Sequence, residues 1–315
     1  MSSIGIGVSV VIATALIGSA VLTGLVRRLE IFDVPNERSS HSRPTPRGGG
    51  IGLVAMTLLG LASSQLLWQL TSWRKLIFYL GAAALIAVVS WLDDLKSLSA
   101  KARLLAQLVA AGLVIAEWGY WEKVSLPVFG NIYLGPLGLC LTLLWIVGLT
   151  NAYNFMDGID GIAGGQALVA GLGWAMIGWM IDDRFVFAMG GLLAASSLGF
   201  LFYNWHPAKV FMGDVGSAFL GFTFAVIPIT TSYSASTNRS FMPLIGFLLI
   251  WPFIVDTGFT LLRRLSQGEN IFQAHRTHLY QRMVLAGYSH EVVSLIYVGL
   301  ALIGSILSLL ITRSN

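Results

Sequence analysis

Long apolar runs, separated by short polar segments, constrain this chain more than any other feature. About 20 apolar residues cover the hydrocarbon core of a bilayer as a helix, and there the backbone must satisfy its own hydrogen bonds. Runs of that kind fall at residues 4–26, 48–70, 76–92, 102–116, 136–150, 161–181, 185–203, 215–233, 241–262 and 291–312. The pattern predicts an all-α polytopic membrane protein of about ten transmembrane helices. No 20–50-residue repeat is present and no stretch reads as a separate soluble domain, so residues 1–315 are expected to form one integral-membrane unit. Only 11% of the residues are charged, against about 25% in soluble domains.

An even number of spans places both termini on one side, and the basic residues choose the side. With the N terminus outside, 13 of the 19 Lys and Arg lie on inner segments, among them Arg27, Arg28, Arg47, Lys101, Arg263 and Arg264. This bias predicts an N-out, C-out topology. The inner segment 151–160 carries neither Lys nor Arg, so its side follows from alternation alone. The first run has no basic residue before it and Arg27 and Arg28 after it, the reverse of a signal peptide's charge order. The net charge of +4 is scattered over several loops and argues against a nucleic-acid partner. Cys140 stands alone within an apolar run, which excludes an intramolecular disulfide and a cysteine-based metal site and predicts a small core residue. The largest outer segment, 117–135, alternates at Lys123-Val-Ser-Leu126 before Pro127 and Gly130-Asn131, as a small hairpin would.

Polar chemistry gathers on the inner loops. The first ends in Pro44-Thr-Pro-Arg47-Gly-Gly-Gly50, whose glycines permit close backbone approach at a helix start that favours anions; a positive-inside anchor is the plainer alternative. In the second, Asp93 and Asp94 end a membrane helix, where two carboxylates repel each other and the helix dipole disfavours both. Neighbours on a helix point about 100° apart, so the pair is expected to diverge. The third, Asn151-Ala-Tyr-Asn-Phe-Met-Asp-Gly-Ile-Asp-Gly161, sets Asp157 and Asp160 three apart. On a helix begun at 157 they share a face, with Asn154 one turn back, an oxygen set suited to a hard cation such as Mg2+. In the fourth, Gly213 and Gly216 flank Asp214 and leave its carboxylate open to a metal. In the fifth, His275, Arg276, His278 and Arg282 fall within eight residues. A helix there would align His275, His278 and Arg282 for a diphosphate or nucleotide sugar. Zinc is the alternative for the two histidines, although a His-Glu-x-x-His pattern is absent. Asp256 lies inside an apolar run, where an ionisable group points to function unless it is solvated near the boundary.

In this order the motifs resemble those of the polyprenyl-phosphate N-acetylhexosamine-1-phosphate transferases. The resemblance rests on Pro44-Thr-Pro-Arg-Gly-Gly-Gly50, Asp93-Asp94 with Leu98-Ser-Ala-Lys101, Asn151-x-x-Asn-Phe-Met-Asp-Gly-Ile-Asp-Gly161 and Phe211-Met-Gly-Asp-x-Gly-Ser217. It covers all five inner loops. The family includes enzymes that initiate O-antigen, enterobacterial common antigen and teichoic acid, as well as lipid I synthase and the eukaryotic dolichol-linked enzyme. The resemblance implies Asn154 and Asp214 as ligands of Mg2+, or of Mn2+ in its place. It implies catalytic roles for Asp93, Asp94, Asp157, Asp160 and His278, and substrate contacts by Arg47, Lys101, Asn151, His275, Arg276 and Arg282. His275-Arg-Thr-His278 departs from the consecutive histidines of the lipid I branch and argues for a simpler UDP-N-acetylhexosamine. Residues 276–282 look most like the O-antigen-initiating branch.

The reaction implied is attack by the phosphate of undecaprenyl phosphate on the β-phosphorus of the donor, releasing UMP at the cytoplasmic face of a bacterial inner membrane. Asp93 or Asp94 could deprotonate or orient the acceptor, and a covalent aspartyl intermediate is also compatible with the sequence. A transporter or flippase is the main rival, but transporters concentrate ionisable groups near the midplane. Apolar helix faces suit membrane lipids and a homodimer interface alike.

Overall fold

The computed structural model describes residues 2–29, 31–33, 44–127, 129–232, 239–269 and 276–314. Among these, ten long helices form a bundle: α1 (Ser2–Val26), α2 (Gly50–Trp68), α3 (Trp73–Lys96), α4 (Ala100–Trp118), α5 (Leu137–Met156), α6 (Ile162–Met180), α7 (Arg184–Asn204), α8 (Asp214–Ser232), α9 (Met242–Ser266) and α11 (His290–Ser314). The short α10 (Leu279–Leu285) lies between the last two. Two small antiparallel pairs complete the fold. Strand β1 (Phe32–Asp33) joins β2 (Thr45–Pro46), while β3 (Lys123–Leu126) and β4 (Gly130–Tyr133) form the expected hairpin, with Lys123 opposite Tyr133.

Nine of the long helices are long and apolar enough to cross a membrane. The exception, α4, carries Lys101, Arg103 and Glu117. Its 19 residues nevertheless extend about 28 Å, at about 1.5 Å per residue. Ion pairs bind it to α3 near both ends: Arg74 to Glu117 at 2.7 Å, and Arg103 to Asp93 at 2.8 Å. The charges that lower its apolarity thus fasten it alongside a spanning partner.

Helix α8 occupies the centre, almost wholly buried, against α2, α3, α4, α5 and α9. Its start crosses α2 closely. A Cβ on Gly50 would lie 2.5 Å from the Cα of Gly216, so only two glycines allow that crossing. Peripheral helices turn large apolar side chains outward, as with Leu66, Leu105 and Leu144, which is how lipid-facing surfaces are built. Cys140 belongs to this outer surface on α5, exposed rather than in the core. The sequence shows that its run is apolar but not which face of the helix it occupies.

Candidate active site

The inner-loop motifs converge at one end of the bundle, opposite the β3–β4 hairpin. Asp93 and Asp94 lie in the last turns of α3, Asn154 and Asp157 at the end of α5, and Asp214 at the start of α8. As their helical spacing predicts, Asp93 and Asp94 diverge. Asp93 accepts hydrogen bonds from Leu98 N at 2.6 Å and Arg103 at 2.8 Å. Asp94, almost fully buried, accepts from Asp214 N at 3.1 Å and Val215 N at 3.2 Å. It therefore caps α8 from another helix, placing negative charge at the positive end of the dipole. Arg47 donates to the backbone carbonyl of Asp94, and its guanidinium lies 4.0 Å from the Asp94 carboxylate.

A narrow cleft beside this pair is lined by Ser90, Arg103, Gln107, Asn151, Asn154 and Asp214. Asn151 and Gln107 exchange amide hydrogen bonds of 2.7 and 3.2 Å, so Asn151 belongs to the wall. Asn154 donates through Nδ2 to Ser217 Oγ at 2.9 Å and also bonds to Asp214, leaving the amide oxygen as its acceptor end. The Asp214 side chain also meets that of Asp93, and Arg103 stands 4.0 Å from it. Burial, reinforced by the charges of Asp214, Asp94 and Asp160, pushes the Asp157 carboxyl up to about 8. This density of carboxylates, with an amide oxygen beside them, is relieved by a bound cation or by protons. The donor set is all oxygen and fits Mg2+. Asp214 and Asn154 would hold such an ion, with Asp157 beside them.

Two expectations built on helical spacing do not hold. Asp157 follows the end of α5, and α6 begins only at Ile162, so Asp157 and Asp160 occupy a connecting turn rather than one helix face. Asp160 instead accepts from His206 Nδ1 at 2.6 Å and Ala208 N at 3.1 Å, and lies 3.3 Å from His290 Nδ1. Burial alone would raise its carboxyl, but the bonds from His290, His206 and the Ala208 amide hold it below the usual range. The coordinating atoms of Asp160, His206 and His290 lie within 4.8 Å of one another, a mixed nitrogen and oxygen set better suited to a transition metal than to Mg2+.

In the fifth loop, α10 begins at Leu279, so His278 precedes the helix instead of sharing a face with Arg282, and Arg282 is exposed. His275 lies outside the described residues. His278 is buried, with Nδ1 3.1 Å from Asp256. Arg276 is half-buried, and among the described residues its Nε has no hydrogen-bond partner. Lys101 is exposed in the first turn of α4; among the described residues, no hydrogen bond or ion pair joins it to the carboxylates. Sequence reasoning missed Arg103, Gln107, Ser217, His206 and His290. His206, eight residues before Asp214, was the most accessible of these, whereas His290 reaches Asp160 only through tertiary packing.

Comparisons with known proteins identify the family. Residues 76–232 match Glycosyl transferase family 4. The chain is 32% identical over 309 residues to the "Probable undecaprenyl-phosphate N-acetylglucosaminyl 1-phosphate transferase" of Bacillus subtilis (strain 168), covering 96% of this chain and 84% of the relative. It is 31% identical over 326 residues to the decaprenyl-phosphate N-acetylglucosaminephosphotransferase of Mycobacterium tuberculosis (strain ATCC 25618 / H37Rv), covering 93% and 80%. Against the undecaprenyl-phosphate alpha-N-acetylglucosaminyl 1-phosphate transferase of Escherichia coli (strain K12), identity is 30% over 290 residues, covering 90% and 77%.

Proposed function

Because the chain belongs to the polyprenyl-phosphate N-acetylhexosamine-1-phosphate transferases of Glycosyl transferase family 4, we propose that it transfers N-acetylglucosamine 1-phosphate from UDP-N-acetylglucosamine to undecaprenyl phosphate. The products are undecaprenyl-diphosphate N-acetylglucosamine and UMP. One juxtaposition carries the reading: the carboxylate cluster and an apolar groove share helix α5. The groove, of about 510 Å³, extends from Trp121 and Ile132 near the hairpin past Trp145 and Gly148 to Ala152 and Thr257. Ala152 lies about one turn before the end of α5. A polyprenyl chain in that groove brings its phosphate to the acidic end.

There, an oxygen of the lipid phosphate attacks the β-phosphorus of the donor; the bond to the bridging oxygen breaks, and UMP leaves with its electron pair. A phosphate monoester is largely ionised near neutral pH, so the acceptor needs orientation more than a base. Arg103, between Asp93 and Asp214, supplies a cation for that task, while Asp94 holds the start of α8 in place. Asp214 and Asn154 would hold Mg2+, which when bound would neutralise charge on the transferred and departing phosphates. We place this end of the bundle at the cytoplasmic face, since the segments of the sequence assigned to the inner side carry 13 of the 19 basic residues. The product would initiate a cell-envelope polysaccharide, with O-antigen suggested by residues 276–282.

The test is incubation of purified protein in detergent with undecaprenyl phosphate, Mg2+ and a panel of UDP-N-acetylhexosamines. UMP is expected with UDP-N-acetylglucosamine, and none when EDTA is present. Release of UDP would establish ordinary glycosyl transfer instead, and no nucleotide product from any donor would refute the transferase reading.

A further inference from the structure

Asp256 lies well inside α9 and is 1% exposed, yet it is the most heavily hydrogen-bonded carboxylate among the described residues. It accepts from Leu279 N at 2.9 Å, Tyr280 N at 3.1 Å and the Tyr297 hydroxyl at 2.6 Å. Thr260 Oγ1 donates to it at 3.2 Å, and His278 Nδ1 lies 3.1 Å away. Since a carboxylate only accepts, the imidazole nitrogen is the donor in the last pair. One side chain of α9 thus caps the start of α10 and ties it to α11.

The connection continues toward the carboxylate cluster. The Tyr280 hydroxyl donates to Phe155 O at 3.1 Å, in the segment between Asn154 and Asp157. The His278 ring stands 6.3 Å from that of Phe155. A Cβ on Gly158 would collide with the Tyr280 hydroxyl, so the close contact depends on glycine there. An ionisable group held this deep at the cost of desolvation calls for a task.

We propose that Asp256 is a positioning residue for the transfer reaction: through the first turn of α10 and Tyr280, it holds the Asn154–Asp157 segment in the geometry the metal and donor require. The inference rests on the function proposed above, but its test separates the two. Asp256→Asn keeps the shape while replacing an acceptor oxygen with a donor that faces other donors. Its kcat is expected to fall about 10–100-fold, the usual loss when a group supporting a ligand is removed. The KM for undecaprenyl phosphate should stay within about twofold, as the groove is untouched. The Mg2+ concentration that half-saturates the rise in melting temperature should increase. Because both changes act along one path, adding Tyr280→Phe should cost less than the product of the separate losses.

A variant with wild-type kcat and Mg2+ response, or multiplicative losses in the double variant, would overturn the proposal. If Asp256→Asn does not fold, Tyr297→Phe removes one bond to the same carboxylate and should show the same pattern more weakly; an unchanged kcat there would count equally against the idea. Should the wild type release no UMP, the functional reading falls, while the Mg2+ melting arm still reports whether Asp256 holds the segment.

Discussion

Among individual residues, Asp214 and Asp157 give the clearest tests. Asp214→Asn preserves shape but removes a charge from the proposed cation site. It should reduce kcat by about 100-fold or more, the scale seen when a preorganised electrostatic contact is lost; full turnover would remove Asp214 from the metal assignment. For Asp157, burial and neighbouring carboxylates push the carboxyl from 3.8 up to about 8. The folded state therefore retains a proton that the unfolded state releases, and this group's contribution to stability is lost as pH rises through that window. With EDTA present, the melting temperature should fall from pH 5 to pH 8. A bound cation replaces the proton, so Mg2+ should flatten the fall, and its binding at pH 7 should release protons measurable by calorimetry in two buffers. A melting temperature independent of both pH and Mg2+ would contradict the site.

Helices and grooves carry predictions of a different kind. Gly148 lines the apolar groove, and a Cβ added there would meet nothing within 4 Å, so Gly148→Phe should fill the groove without disturbing the backbone. The KM for undecaprenyl phosphate should rise several-fold while that for UDP-N-acetylglucosamine holds. Equal effects on both substrates would place the lipid elsewhere. At the α2–α8 crossing, Gly216→Val drives a side chain into Gly50, whose Cα would lie 2.8 Å from the new Cβ. Overpacking of this kind costs about 1–3 kcal/mol, and the melting temperature should drop accordingly. An unchanged melting temperature would mean the crossing is looser than these contacts indicate.

At the scale of the whole molecule, orientation can be tested by cysteine labelling. Cys140→Ser removes the one native thiol; new cysteines can then replace Phe129 beside the hairpin and Lys209 near the carboxylates, both exposed. An impermeant reagent applied to intact cells should label position 129 and spare 209. The opposite result would invert the proposed topology. The ion pairs at both ends of α3 and α4 make the same demand, since a fully crossing α4 puts the hairpin and the acidic end on opposite faces.

Much of this architecture was already legible in the chain. Apolar length determined the helices, because lipid leaves the backbone no other hydrogen-bond partners, and Pro127 with Gly130-Asn131 marked the hairpin. The oxygen-rich motifs marked Asp93, Asp94, Asn154, Asp157, Asp160 and Asp214 as candidates for metal and phosphate chemistry. Tertiary structure decided what spacing could not. It placed Cys140 on the outer surface, sent Asp160 to His206 and His290 instead of aligning it with Asp157, and turned His278 inward to Asp256. The physical reason is that apolar length and residue type are local properties, whereas the direction of a side chain beyond a helix end depends on which other helix supplies its partner. Asp94 capping α8 across 120 residues of sequence is a contact no local pattern contains.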